Sequence, residues 1–195
     1  MEIAPGIDST VWKSLTLDDP KSADWERAID IFRSRLESRF IEAVDELIEL
    51  EKLKPSIDKR FGFAILAIDC LLVETLGAFV KGWPETRRRG QSEEAFCTFL
   101  SRPLFAPHFS PATASQFYAE FRCGLLHQAE VGGTSRVWSV GSVINLDSGR
   151  ITVNRTKFHE LLKQEFAMYQ AELKDPMNGT IRSNFRHKMD FICDR

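Results

Sequence analysis

The chain has 195 residues, 43% apolar and 28% charged, with 26 basic against 28 acidic side chains and a formal charge of -2. That is the balance of an ordinary globular protein. It excludes a disordered chain and a protein that coats nucleic acid by overall charge, though not one with a local basic groove.

Residues 1–20 are rich in turn formers (Pro5, Gly6, Asp18, Asp19, Pro20) and read as an N-terminal arm, loosely packed. Ser22 can cap the helix that follows. Trp25, Ile29, Phe32, Leu36, Phe40, Val44, Leu47 and Ile48 recur at three- and four-residue steps, one apolar stripe on a long helix that ends before Pro55. A second helix is predicted from about Ser56 to Lys81, stopping at Gly82-Trp83-Pro84. Its centre, AILAIDCLLVETLGAFV, is apolar nearly all round, which places it in the middle of the fold. The apolar stretch from Phe61 to Val80 is long enough to span a bilayer. Asp69 and Glu74 near its middle would be costly in lipid, so a buried helix and no membrane contact are expected.

A loop follows with the basic run Arg87-Arg88-Arg89, which can touch phosphates or form a solvated loop. Ser92 opens a short helix that ends near Pro103. Another helix runs from Ala112 to about Glu130 and stops at Gly132-Gly133. Residues 136–153 then turn rich in Val and Ile. Val143–Leu146 and Arg150–Val153 flank Asp147-Ser148-Gly149, a hairpin signature. Asn154 can cap the next helix, which Pro176 and Gly179 end. A last segment, Thr180 to Arg195, is expected to be a short helix carrying the basic group Arg182, Arg186, His187 and Lys188. The fold expected is mainly α, an up-and-down helical bundle with a small β-hairpin insertion before the penultimate helix. A helical domain over residues 21–175 includes the hairpin region 136–153, with an arm at 1–20 and a C-terminal segment at 176–195.

The four cysteines, at 70, 97, 123 and 193, form no CxxC. The N-terminus has neither a basic nor an apolar leader region, so a cytoplasmic protein with reduced thiols is expected. The common phosphate loops, HExxH and GxSxG are missing. Cys123 and His127 could share a helix face, but two ligands do not make a metal site. No metal or cofactor is expected.

The informative stretch is Phe121-Arg122-Cys123-Gly124-Leu125-Leu126-His127-Gln128. Residues five apart on an α-helix diverge by roughly 140°, so Arg122 and His127 cannot sit side by side on a regular helix. They can line one cleft if the helix frays after Gly124 or if two copies face each other. Gly124 inside a helix costs about 1 kcal/mol relative to Ala. Close packing of a second helix would account for it, and so would room for an aromatic side chain. The plainer alternative for Arg122 is a structural ion pair with Glu120, Glu130, Asp69 or Glu74, since a buried carboxylate needs a partner.

Arg122-x4-His127, late in a helical chain after a long helix, an apolar helix and a short helix, resembles the HEPN superfamily over roughly residues 22–175. That resemblance implies a small helical bundle, a homodimer, and often RNA cleavage in a defence or toxin–antitoxin setting with an antitoxin protein as partner. Arg122 and His127 would be catalytic, with Cys123, Asp69 and Glu74 in support and Arg87, Arg88 and Arg89 on the RNA. Many catalytic members carry Asn, Asp or His directly after the arginine. Cys123, a weak hydrogen-bond donor, stands there instead, and it leaves open a dimer that binds nucleotide, RNA or protein without cutting. The chemistry suits the pair. Histidine can move protons near neutral pH, and a guanidinium can hold phosphate oxygens in a fork.

Overall fold

The computed structural model describes residues 1–53 and 60–195, and the expected helix start at Ser56 lies outside them. The chain is mainly helical, with a small three-stranded sheet just before its last two helices. The N-terminal segment is not a loose arm. Strands β1 (Glu2–Ala4) and β2 (Ile7–Asp8) pair antiparallel, and α1 (Ser9–Lys13) follows. Ile3, Ala4, Trp12 and Leu17 are buried in the main core. The indole of Trp12 donates to Asp190 at 2.7 Å, tying the segment to the far end of the sequence.

The long helix forms as α2 (Asp24–Leu36) and α3 (Glu42–Leu53), joined without a break by a π-helical turn over Glu37–Ile41. That wider turn takes in one more residue than an α-turn. The apolar stripe therefore steps from Leu36 to Ile41, and Phe40, expected inside, is only partly covered. Helix α4 (Gly62–Lys81) is the central element, packed against α5 (Gln91–Leu100), α8 (Arg155–Lys174) and α9 (Gly179–Cys193). It is long and apolar enough to cross a membrane, yet 61% of its most apolar window is buried by the rest of the chain. A Cβ on Gly77 would lie 1.8 Å from the Ala95 carbonyl oxygen, so only glycine lets α4 and α5 approach this closely.

Ser110 caps α6 (Pro111–Phe117) by accepting from the Thr113 amide at 3.1 Å. A second π-helical turn, Tyr118–Cys123, leads into α7 (Gly124–Gln128). The hairpin forms as β4 (Ile144–Asp147) and β5 (Arg150–Asn154). The structure adds β3 (Arg136–Trp138), parallel to β5. Asn154 caps α8 as expected, accepting from the Lys157 amide at 3.2 Å. The C-terminal helix is fully integrated: Phe185 and Met189 are buried, and Arg182 lies 3.7 Å over the Trp25 ring.

The phenylalanines make the core. Phe32 sits among Phe79, Phe166, Tyr169 and Phe185. Phe117 stacks on Phe121 and Phe158 with centroids 4.4 and 5.4 Å apart. These stacks anchor the Tyr118–Cys123 turn and leave Arg122 at the edge of the core.

Candidate functional site

Arg122 reaches α4. Its Nε and Nη2 both lie 2.8 Å from Oε2 of Glu74, and Oε1 of Glu74 accepts from the Thr86 hydroxyl at 2.7 Å. The pair is only partly exposed, at 18% for Arg122 and 12% for Glu74. Burial works against the Arg122 charge, but the Glu74 carboxylate overrides it and leaves the pKa raised. The guanidinium also lies 5.7 Å from the Tyr118 ring. Tyr118 in turn donates to Ser92 at 2.9 Å, and burial is the main reason its pKa is raised. Of the four carboxylates that sequence offered as partners for Arg122, Glu74 is the one bound. Glu120 accepts from Gln116 and Ser135, and Glu130 from the Val131 amide.

The remaining terminal nitrogen of Arg122, Nη1, lies 3.4 Å from Nε2 of His127. His127 is exposed near the end of α7. The two side chains meet within one chain, without fraying after Gly124 and without a second copy. Arg122 lies in the π-helical turn Tyr118–Cys123 and His127 in α7, and the long arginine side chain spans the difference in direction between them.

The same chain covers Gly124. After His127 the helix ends at Ala129, whose φ of 55° is left-handed, ahead of the glycines expected to end it. The backbone then folds back, and the Gly132 amide donates to the Glu120 carbonyl at 2.8 Å. A Cβ on Gly124 would lie 2.4 Å from the Glu130 carbonyl oxygen. Neither a partner helix nor an aromatic ring is needed to explain this glycine.

Cys123 is partly buried beside Arg122. Asp69 stands apart from the site. Fully buried on α4, it pairs through Oδ1 with Nδ1 of His159 on α8 at 2.7 Å, and its Oδ2 has no hydrogen-bond partner among the described residues. Desolvation raises the Asp69 pKa, with His159 pulling the other way. His159 was not singled out in the sequence, because its partner lies 90 residues away and no local spacing connects them. Arg87, Arg88 and Arg89 are exposed on the loop after α4, and Arg87 pairs with Glu85 at 2.9 Å. This loop also carries Thr86, so the basic run is tied to the site through Glu74. Among the described residues no cluster of three His, Cys, Asp or Glu side chains could hold a metal ion.

The arrangement presents a fixed positive charge, held by a carboxylate, beside an exposed imidazole. Such a pair can bind an oxyanion and exchange a proton with it. Comparison with protein-family models, with curated proteins and with solved structures finds no match to the chain.

Proposed function

We propose that the chain is a HEPN-like, metal-independent endoribonuclease that works as a cytoplasmic homodimer, in a defence or toxin–antitoxin role with an antitoxin protein as its partner. The observation that carries the reading is the exposed His127 lying 3.4 Å from the Glu74-bound Arg122. In this reaction the RNA 2′-oxygen attacks the adjacent phosphorus. His127 removes the hydroxyl proton, Arg122 bears the charge gathering on the phosphorane, and the departing 5′-oxygen takes a proton from a second acid. The products are a 2′,3′-cyclic phosphate and a 5′-hydroxyl. A single histidine supplies one of the two proton transfers, and a two-fold dimer supplies a second histidine for the other.

The test is cleavage of labelled single-stranded RNA by purified protein in EDTA. Cyclic-phosphate ends should form with wild type and disappear with His127→Ala. Intact RNA with wild type, or unchanged cutting by the variant, refutes the reading. A second reading, RNA binding without cleavage, is favoured by one observation: Glu74 already engages two of the three guanidinium nitrogens of Arg122. That form would bind RNA and leave it whole.

A further inference from the structure

A cavity of about 340 Å³ adjoins Glu74, between the loop after α4 and the end of α9, and its walls include Glu85, Thr86, Arg87, Lys188 and Arg195. Three cations share this space with two carboxylates, one of which, Glu74, is already matched by Arg122. The other, Glu85, is shared: Arg87 and Arg195 both bind its Oε1. Lys188 is 9% exposed, and its ammonium donates to the Pro84 carbonyl at 2.7 Å. Burial and the nearby Arg195 charge lower its pKa. A buried ammonium beside two arginines that crowd one carboxylate oxygen is short of negative charge. Arg195 also lies 4.5 Å over the Phe191 ring, which fixes its plane for a fork-like contact.

The cavity is linked to the candidate site by contacts already described. Thr86 holds one oxygen of Glu74, and the other holds Arg122, which faces His127. We propose that this cavity takes a backbone phosphate of bound single-stranded RNA, flanking the scissile one, with Arg87, Lys188 and Arg195 as its ligands and Glu85 as the group it displaces. The assignment rests on the ribonuclease reading. It adds a second anchor that sets the strand's register against His127.

The experiment uses the full chain carrying His127→Ala, so that bound RNA is not cut, and a fluorescein-labelled single strand of about 12 nucleotides, within the span of known single-strand sites. Polarisation is read over a range of salt. Arg87→Gln with Arg195→Gln should raise Kd roughly tenfold and flatten the slope of log K against log salt by about 0.7, the loss of one phosphate contact. Lys188→Met, which keeps the apolar stem, should weaken binding in the same direction. Glu85→Gln should tighten it by about threefold, because it removes a competing surface carboxylate. A purely structural role for these residues would not produce that gain.

Folded variants with the affinity and salt slope of the His127→Ala parent overturn the cavity assignment, and cleavage by wild type then still upholds the ribonuclease reading. RNA bound with the expected slope changes but never cut by wild type upholds the cavity and sinks the cleavage reading. Absence of RNA binding by every form sinks both.

Discussion

Nη1 of Arg122 faces Nε2 of His127 at 3.4 Å although the two residues lie five apart on one helical segment. Arg122 stands in the π-helical turn Tyr118–Cys123 and His127 in α7, and the reach of the guanidinium closes the gap. Arg122→Lys keeps the charge and can still reach Glu74, but it loses the planar fork that meets carboxylate and imidazole together. Its kcat on RNA should fall on the order of 10²-fold, with KM changing far less, as when a donor to a developing oxyanion is removed. Steady-state cleavage by the two forms checks this. Wild-type kcat in the lysine variant would show that the fork does not matter.

Glu74 stabilises the fold and restrains the site at once. Its two oxygens serve Thr86 and Arg122 in a largely buried position. Glu74→Gln keeps the shape and removes the countercharge, and should cost about 2 kcal/mol, the scale of a hydrogen bond to a charged group. The same change frees Arg122 for phosphate, so RNA affinity should rise while the urea midpoint falls. Stability lost to a functional residue commonly shows this opposition. Equal losses in both measurements would mean that Glu74 only positions Arg122.

The elements that local chemistry dictates were readable from residue types. Helix α4 stops at Gly82 because that residue takes φ 68° and lets the Trp83 amide bond back to Ala78. The Asp147-Ser148-Gly149 signal gave the β4–β5 hairpin. The two π-helical turns were not readable. No residue type marks such a turn, so the slip of the stripe on α2 and α3 by one residue at Ile41 leaves no sign in the sequence. The burial of the N-terminal segment leaves little trace in the residue pattern for a related reason. Ile3, Trp12 and Leu17 are too sparse to show a period, yet all three are buried. At the site, the residue types of Arg122, His127 and Glu74 were visible. Which of four carboxylates would meet the arginine depended on how α4 packs beside the 118–123 turn, and spacing along one helix carries no trace of that.

The buried Asp69–His159 pair should leave a mark on stability against pH. Burial raises the Asp69 carboxyl above its ordinary 3.8, against the opposing pull of His159. An acid whose pKa is raised by folding favours the native state most at low pH, and that contribution is lost as pH rises through the raised value. Asn at this position cannot titrate. The stability of wild type minus that of Asp69→Asn should therefore fall as pH increases from about 4 upward. Urea unfolding of both proteins at a series of pH values measures it. A difference that grows with pH would mean that attraction to His159 outweighs burial.

Gly124 separates two accounts of why glycine stands in the motif helix. Its Cα faces the chain's own Glu130 carbonyl, which a Cβ would approach to 2.4 Å. That contact holds the 130–132 return against the Tyr118–Cys123 turn, where the Gly132 amide meets the Glu120 carbonyl. Gly124→Ala should therefore destabilise the folded monomer by about 1–3 kcal/mol, the usual cost of forcing atoms into a filled space. The loss should be the same at every protein concentration. Because the displaced segment follows His127 directly, the variant should also lose cleavage in proportion to the disturbance of the Arg122–His127 contact. Unfolding curves and sedimentation over a hundredfold range of concentration test this. If Gly124→Ala instead leaves the monomer intact and only weakens self-association, the glycine serves a second copy of the chain and the intrachain account is wrong.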